Sequence, residues 1–255
     1  MAMAAVEFDA LSLVLSGGRS ILSGIHLAVE QGSTTAFLGR SGSGKTTLLR
    51  MVNAMASPTA GEARVMGKPV ASQDCTSLRR GIGYVIQETG LFPHMTIERN
   101  VGLPLEMAGQ SKTQIATRVA ELLPMVGLEG TSFARRYPWQ LSGGQRQRVG
   151  LARALAADPP ILLMDEPFGA LDPVTRVEMQ EMMASLIERL HKTVLLVTHD
   201  LEEALYLAQR VIFLEGGRVV ADLPSNKVMP SSDPHVRQYI RAVRHNHRNH
   251  EEPMV

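Results

Sequence analysis

Three short apolar runs, each leading into a polar or glycine-rich cluster, set the tightest limit on what this chain can fold into. The first ends residues 33–38 and leads into a glycine-rich segment, residues 39–44. The second, residues 161–164, is followed directly by Asp165 and Glu166; the third, residues 194–197, closes on Thr198, His199 and Asp200. Uninterrupted apolar runs of this length suit strands buried on both faces, as in parallel sheets covered by helices. After the glycine-rich segment, Leu48, Leu49, Val52 and Met55 recur at helical spacing over residues 45–55. Asp200 can cap a following helix, with Glu203 placed to complete a capping-box-like pair. Strand alternating with helix predicts a mostly parallel α/β sheet whose ligands bind beyond the carboxyl ends of the strands, where all three polar clusters fall.

Residues 96–153 interrupt this pattern. Helices are expected over 113–126 and 144–157 and strand signals are absent, so the segment reads as a helical insertion. Before Gly32, β-prone alternation through Val6, Phe8, Ile21, Ile25, Leu27 and Val29 predicts a small antiparallel layer. After Leu223 the chain turns polar. One short amphipathic helix is expected over 235–243 through Val236, Tyr239, Ile240 and Val243, then a solvated tail from Arg244. Its His245, His247 and His250 read as a polar end rather than a metal site, since nothing nearby fixes their geometry.

A net charge of +1 argues against a long polyanion, so no nucleic-acid partner is expected. The single cysteine, Cys75, can make no internal disulfide and reads as a bystander in a reducing compartment. No apolar run approaches the roughly 20 residues that span a bilayer, and the first ten residues carry acids rather than a signal pattern. Any membrane role is therefore expected to be peripheral.

The sequence Gly39, Arg40, Ser41, Gly42, Ser43, Gly44, Lys45, Thr46, continued by Thr47, fits a phosphate-binding loop. Its glycines let backbone amides wrap phosphate oxygens at a helix N-terminus, Lys45 pairs with the β and γ phosphates, and Thr46 offers a hydroxyl to Mg²⁺. Accident produces such a pattern in roughly one chain per hundred of this length, and the strand before and helix after argue against accident. At the end of the second run, Asp165 can hold Mg²⁺ through water. Glu166 can orient or deprotonate the water that attacks a γ phosphate. Ser142, Gly143 and Gly144, at a helix start, make a second anion-binding site of bare amides; a plain helix cap accounts for Ser142 but is not expected to account for the two glycines or Gln145.

With Leu141, Ser142, Gly143, Gly144 and Gln145 the chain resembles the ABC ATPase family, whose signature motif has this sequence. The resemblance runs from about Phe8 to about Leu223. It implies a P-loop NTPase (RecA-like) core, α/β with a mostly parallel sheet, a small antiparallel β layer and an inserted α-helical subdomain. The expected division is an ATPase domain over 1–223, with 1–95 and 154–223 as core lobe and 96–153 as helical subdomain, and an extension over 224–255. Within the family, the signature contacts the γ phosphate of a nucleotide held by the opposite subunit. Gln87 matches the residue that senses Mg²⁺ and the γ phosphate. Gly169, Ala170, Leu171 and Asp172 match the loop that crosses the dimer interface, and His199 matches the switch histidine. Leu15 and Ser16 stand where family members usually place an aromatic residue that stacks on adenine. Stacking contributes about 1–3 kcal/mol in single-strand binding, so a weaker preference for ATP over GTP is expected.

The resemblance further implies an ATP- and Mg²⁺-dependent enzyme working as a head-to-tail dimer of two copies at the cytoplasmic face of the cell membrane. Transmembrane permease subunits would be its partners, reached through Phe92, Pro93 and His94. Residues 82–101, 136–176 and 190–204 resemble ATPases of bacterial importers for quaternary amines such as glycine betaine, choline and proline, which adds an extracytoplasmic solute-binding protein. Those ATPases often carry paired cystathionine-synthase-type domains after the cassette; this sequence stops without them, which puts that mode of regulation in doubt. The alternatives are an importer ATPase for another small solute, a non-transport ABC ATPase of translation or DNA repair, and a small-molecule phosphotransferase, which would have no use for residues 141–145.

Overall fold

The computed structural model describes residues 4–129 and 131–241. The chain opens with two long antiparallel strands, β1 (Ala4–Val14) and β2 (Ser20–Glu30). β1 also pairs with β4 (Ala60–Val65), and β4 with β5 (Lys68–Pro69), giving an antiparallel sheet of order β2-β1-β4-β5. Val6, Phe8, Ile25, Leu27 and Val29 are buried, as the alternation predicted. β4 escapes sequence reading because Ala60, Gly61 and Glu62 give its first half no apolar face.

The second sheet contains β3 (Thr34–Leu38), β6 (Ile82–Val85), β7 (Ile161–Asp165), β8 (Thr193–Thr198), β9 (Arg210–Glu215) and β10 (Arg218–Pro224). Its order is β10-β9-β3-β8-β7-β6, and every pairing is parallel except that of the edge strand β10. Side chains alternate between two cores. Ala36, Leu38, Leu162, Met164, Val194 and Leu196 enter one; Phe37, Leu163, Leu195 and Val197 enter the other. Neither face meets water, which is why these strands read as continuous aliphatic runs. Burial of each large side chain stabilises the fold by about 1.5–3 kcal/mol.

The core facing the antiparallel sheet also packs α1 (Lys45–Val52) through Leu48, Leu49, Met51 and Val52. α1 stops three residues before the Met55 expected from the periodicity. Asn53 ends it by accepting a hydrogen bond from the Met55 amide at 3.2 Å, and Met55 lies exposed. The short helix α2 (Cys75–Arg80) follows, capped by the Asp74 side chain, with Cys75 exposed and free.

The other core is covered by α3 (Ile97–Met107), α4 (Lys112–Met125), α6 (Gly143–Leu155), α7 (Pro173–Leu190) and α8 (Leu201–Leu207), with the short turns α5 (Thr131–Ala134) and α9 (Ser225–Val228). α4 and α6 begin a residue earlier than the periodicity suggested, at Ser111 and Ser142 caps. α3 goes unanticipated because Gly102 and Pro104 interrupt its pattern. Fully buried Asn100 holds α3 to the loop before it. Its Oδ1 accepts from the Phe92 amide at 2.7 Å, and its Nδ2 donates to the carbonyls of Phe92, Met95 and Thr96. Residues 234–241 form a last helix, α10. Val236 and Ile240 are buried and the Tyr239 ring meets Phe213 edge-on at 5.4 Å. The expected continuation to Val243, and His245, His247 and His250, lie outside the described residues.

One capping expectation fails. Asp200 caps α8 through the Glu202 and Glu203 amides, but the Glu203 carboxylate does not return to the cap. It turns into the protein and accepts a 2.6 Å hydrogen bond from the Thr198 hydroxyl. Burial raises its pKa above the ordinary 4.5 and the Asp200 carboxylate adds to this, while Thr198, Arg176 and His199 oppose it.

Two outcomes follow. Asn100→Ala leaves buried backbone groups of the 92–96 loop without partners, costing about 2–3 kcal/mol and lowering Tm by about 4–10 °C in a thermal melt. For Glu203, the raised folded pKa means that the folded state binds more protons above pH 4.5. Stability is thus lost as pH rises from there through the folded pKa. A neutral amide at this position escapes that loss, so the Tm of Glu203→Gln relative to the parent should increase with pH across this window; a pH-independent difference would contradict the assignment.

Candidate functional site

Register brings the functional strand ends level. Leu38, the last residue of β3, lies beside Thr198 of β8 and Phe213 of β9, while Asp165 of β7 lies beside Val197. Beyond these ends is a cavity of about 780 Å³ lined by Gly39, Ser41, Gly42, Ser43, Gly44, Lys45, Thr46 and Thr47 together with Gln87, Glu166 and His199. Arg19, Ile21, Arg40, Gln238 and Tyr239 complete its wall.

The loop needs glycine at position 44. Its φ is +101°, and a Cβ there would stand 2.6 Å from a Leu22 methyl group. The turn feeds α1, whose first amides have no helical partner and carry the positive end of the helix dipole, an arrangement suited to phosphate oxygens. The buried Ser43 Oγ has no protein partner, as expected of a hydroxyl waiting for a ligand. Lys45 Nζ donates to the carbonyls of Gly39 at 2.6 Å and Arg40 at 3.0 Å. Burial lowers its pKa, and the Glu166 and Asp165 carboxylates partly oppose this.

Thr46 Oγ1 donates to Asp165 Oδ1 at 2.7 Å, and the Tyr84 hydroxyl donates to Asp165 Oδ2 at 3.3 Å. Burial, reinforced by Asp165, pushes the Tyr84 pKa up to about 12, so Tyr84 remains a donor. Two protein oxygens in this pairing fit a hard divalent cation that takes its other ligands from phosphate and water. No cluster of three or more His, Cys, Asp or Glu residues among the described residues offers an all-protein metal cage.

Glu166 sits at φ +46°, a backbone state costing a non-glycine residue of the order of 1–3 kcal/mol. Its amide donates to the Val197 carbonyl at 2.9 Å, fixing the turn after β7, and its Oε2 lies 3.2 Å from His199 Nδ1. A carboxylate and an imidazole thus form a pair on the cavity wall, able to hold and move a proton.

Ser142, Gly143, Gly144, Gln145 and Asp172 do not line this cavity, and buried Asp165 reaches it only through its hydrogen bond with Thr46. Ser142 and Gln145 close a reciprocal capping box at the start of α6: Ser142 Oγ accepts from the Gln145 amide at 3.2 Å and Gln145 Oε1 accepts from the Ser142 amide at 3.0 Å. The cap therefore explains Gln145 after all. Asp172 caps α7 by accepting from the Thr175 amide at 3.1 Å, and its hydrogen bonds to Thr175 lower its pKa. Thr175 also closes on Gly144, leaving no room for a Cβ there, so the two helix starts are packed together.

Several residues escaped sequence reading. Arg153 of α6 donates at 2.7 Å to each of the carbonyls of Thr89 and Gly90, clamping the loop after Gln87, and its burial lowers its pKa. Tyr84, Asn100 and Gln238 likewise belong to no local pattern, and Tyr239, read only as part of an amphipathic helix, gives no sign of reaching the cavity.

Known proteins resemble this arrangement. The family model described as ABC transporter matches residues 22–169. The choline transport ATP-binding protein OpuBA of Bacillus subtilis (strain 168) is 44% identical over 92% of this chain, which spans 62% of that relative. The glycine betaine uptake system ATP-binding protein YehX of Escherichia coli (strain K12) is 43% identical over 92% of this chain and 76% of its own. A dimeric post-hydrolysis structure of the ATP-binding cassette MJ0796, bound to ADP and Pi, superposes with a TM-score of 0.77 at 35% identity, covering 86% of this chain and 98% of that one. The phosphate loop, the strand-end acids and the match over more than half of the sequence agree: this chain belongs to the ABC transporter family.

Proposed function

We propose that the chain is the ATP-hydrolysing subunit of a membrane importer, acting as a homodimer at the cytoplasmic face beneath permease subunits. The convergence on one cavity of the phosphate loop, with Thr46 hydrogen-bonded to Asp165 behind it, and the Glu166–His199 pair carries this reading. In it, the amides of residues 39–47 and the Lys45 ammonium hold the triphosphate, and the buried Ser43 hydroxyl finds its acceptor there. Thr46, Asp165 and Gln87 would hold Mg²⁺, which supplies neutralisation of charge on the β and γ phosphates. Glu166 orients a water and takes its proton as the water oxygen bonds to the γ phosphorus and the bond to the ADP oxygen breaks. His199, paired with Glu166, faces the γ phosphate.

Ser142, Gly143, Gly144 and Gln145 lie outside the cavity of their own chain, with Ser142 and Gly143 exposed. A second copy, bringing its exposed signature and Asp172 loop to this cavity, completes the site and explains why it lies open. No helix among the described residues is long and apolar enough to cross a membrane, so movement of a solute needs a membrane partner. The exposed Phe92, held to α3 by Asn100, and its neighbours Pro93 and His94 follow the stretch that Arg153 of α6 grips at Thr89 and Gly90, and would receive it. Choline and glycine betaine, named for the two relatives above, support a quaternary amine as cargo, delivered by an extracytoplasmic binding protein.

Phosphate release by the purified chain tests the enzyme. The rate per chain should rise with protein concentration as two copies meet, Glu166→Gln should lose at least about 100-fold, and Lys45→Ala should lose nucleotide binding with it. A rate independent of concentration and of Glu166 would contradict the composite site. Phosphate appearing on an organic acceptor instead of water would favour a phosphotransferase.

A further inference from the structure

The cavity has lining residues on both flanks of the phosphate loop. In the sheet order β10-β9-β3-β8-β7-β6, Glu166 and His199 follow β7 and β8, on one flank of β3. On the other flank, toward β9, Arg19 and Ile21 stand where the chain enters β2, and Gln238 and Tyr239 stand on α10. Two contacts join this flank to the loop and a third holds α10 to the sheet. The Arg40 backbone donates a hydrogen bond to the Tyr239 hydroxyl, the Tyr239 ring rests edge-on against Phe213 of β9, and Gly44 packs against Leu22.

A nucleoside triphosphate whose γ phosphate faces Glu166 and His199 has its base at the opposite end. We infer that the base is held between Arg19 and the Gln238–Tyr239 pair, so that α10, outside the region matched by the family model, is part of the nucleotide site. The inference rests on the phosphate-site reading above. Arg19 is exposed and presents a planar guanidinium that stacks on aromatic faces. Exposed Gln238 carries one acceptor and two donors on its amide, the combination that pairs with the edge of adenine. Tyr239 is half-buried, its ring fixed by Phe213. Leu15 and Ser16 are exposed and do not line the cavity, so base contact is supplied from the far end of the chain. Base recognition by α10 would also counteract the weak ATP preference expected from the missing aromatic residue.

Calorimetric titration without Mg²⁺ tests this, using ATP, GTP and inorganic tripolyphosphate as separate probes. Arg19→Ala combined with Gln238→Ala removes two exposed side chains that support no packing, and Tyr239→Phe keeps the ring against Phe213 while removing the hydroxyl. The double variant should bind ATP roughly 5- to 20-fold more weakly with tripolyphosphate affinity unchanged, and should lose discrimination between ATP and GTP. Tyr239→Phe should retain most of the ATP affinity. An ATP affinity for the double variant within about twofold of the parent, or an equal loss for ATP and tripolyphosphate, overturns the assignment. Lys45→Ala should weaken both probes; a parent chain that binds neither would instead remove the phosphate-site reading and this inference with it.

Discussion

The arrangement depends on the parallel register of three adjacent strands. With Leu38 beside Thr198 and Val197 beside Asp165, the loops leaving β3, β7 and β8 emerge at one level. Parallel hydrogen bonding fixes this, because a slip of one residue would also exchange the two cores into which Phe37 and Leu38 alternate. The Thr46–Asp165 hydrogen bond then ties the start of α1 to the end of β7 across the intervening β8. The strained Glu166 is held against Val197 by its own amide. The chemistry is thus placed by the sheet, and the loops have little freedom to misplace it.

The second half of the proposed machine is placed by helices. Ser142 and Asp172 each cap a helix, and the two helix starts meet where Thr175 closes on Gly144. The signature, with Ser142 and Gly143 exposed, and the Asp172 loop therefore belong to one packed unit, presented outside the chain's own cavity. Arg153, near the far end of the helix that Ser142 caps, grips the carbonyls of Thr89 and Gly90. A shift of α6 would pull directly on the loop that follows Gln87, a physical route from the composite site to the surface carrying Phe92.

Legibility in the sequence follows burial geometry. β3, β7 and β8 are readable because strands covered on both faces leave unbroken aliphatic runs, and the phosphate loop because its glycines are demanded locally. β6 and β10 are not: β6 holds Gly83 and Tyr84 in four residues, and edge strand β10 is largely half-exposed. β9, whose Val211, Ile212, Phe213 and Leu214 are all buried, carries the same kind of run but closes on no motif that singles it out. α3 is hidden by Gly102 and Pro104. Glu203 illustrates a different limit. Its spacing from Asp200 fits a capping box, yet the Thr198 hydroxyl at the strand end draws its carboxylate inward. The contribution of α10 to the cavity is a contact between Tyr239 and the loop around Arg40, at opposite ends of the sequence, which no local pattern encodes.

The central claim is that two copies complete each site, and the most direct test is the molar mass of Glu166→Gln by light scattering with and without ATP and Mg²⁺. With hydrolysis blocked, the closed pair should accumulate. The account predicts a mass near 27.8 kDa without nucleotide, a doubling with it, and no doubling when Ser142→Arg is added. A chain that binds ATP yet stays at monomer mass in isolation and with its permease, or a doubling indifferent to Ser142→Arg, would contradict it.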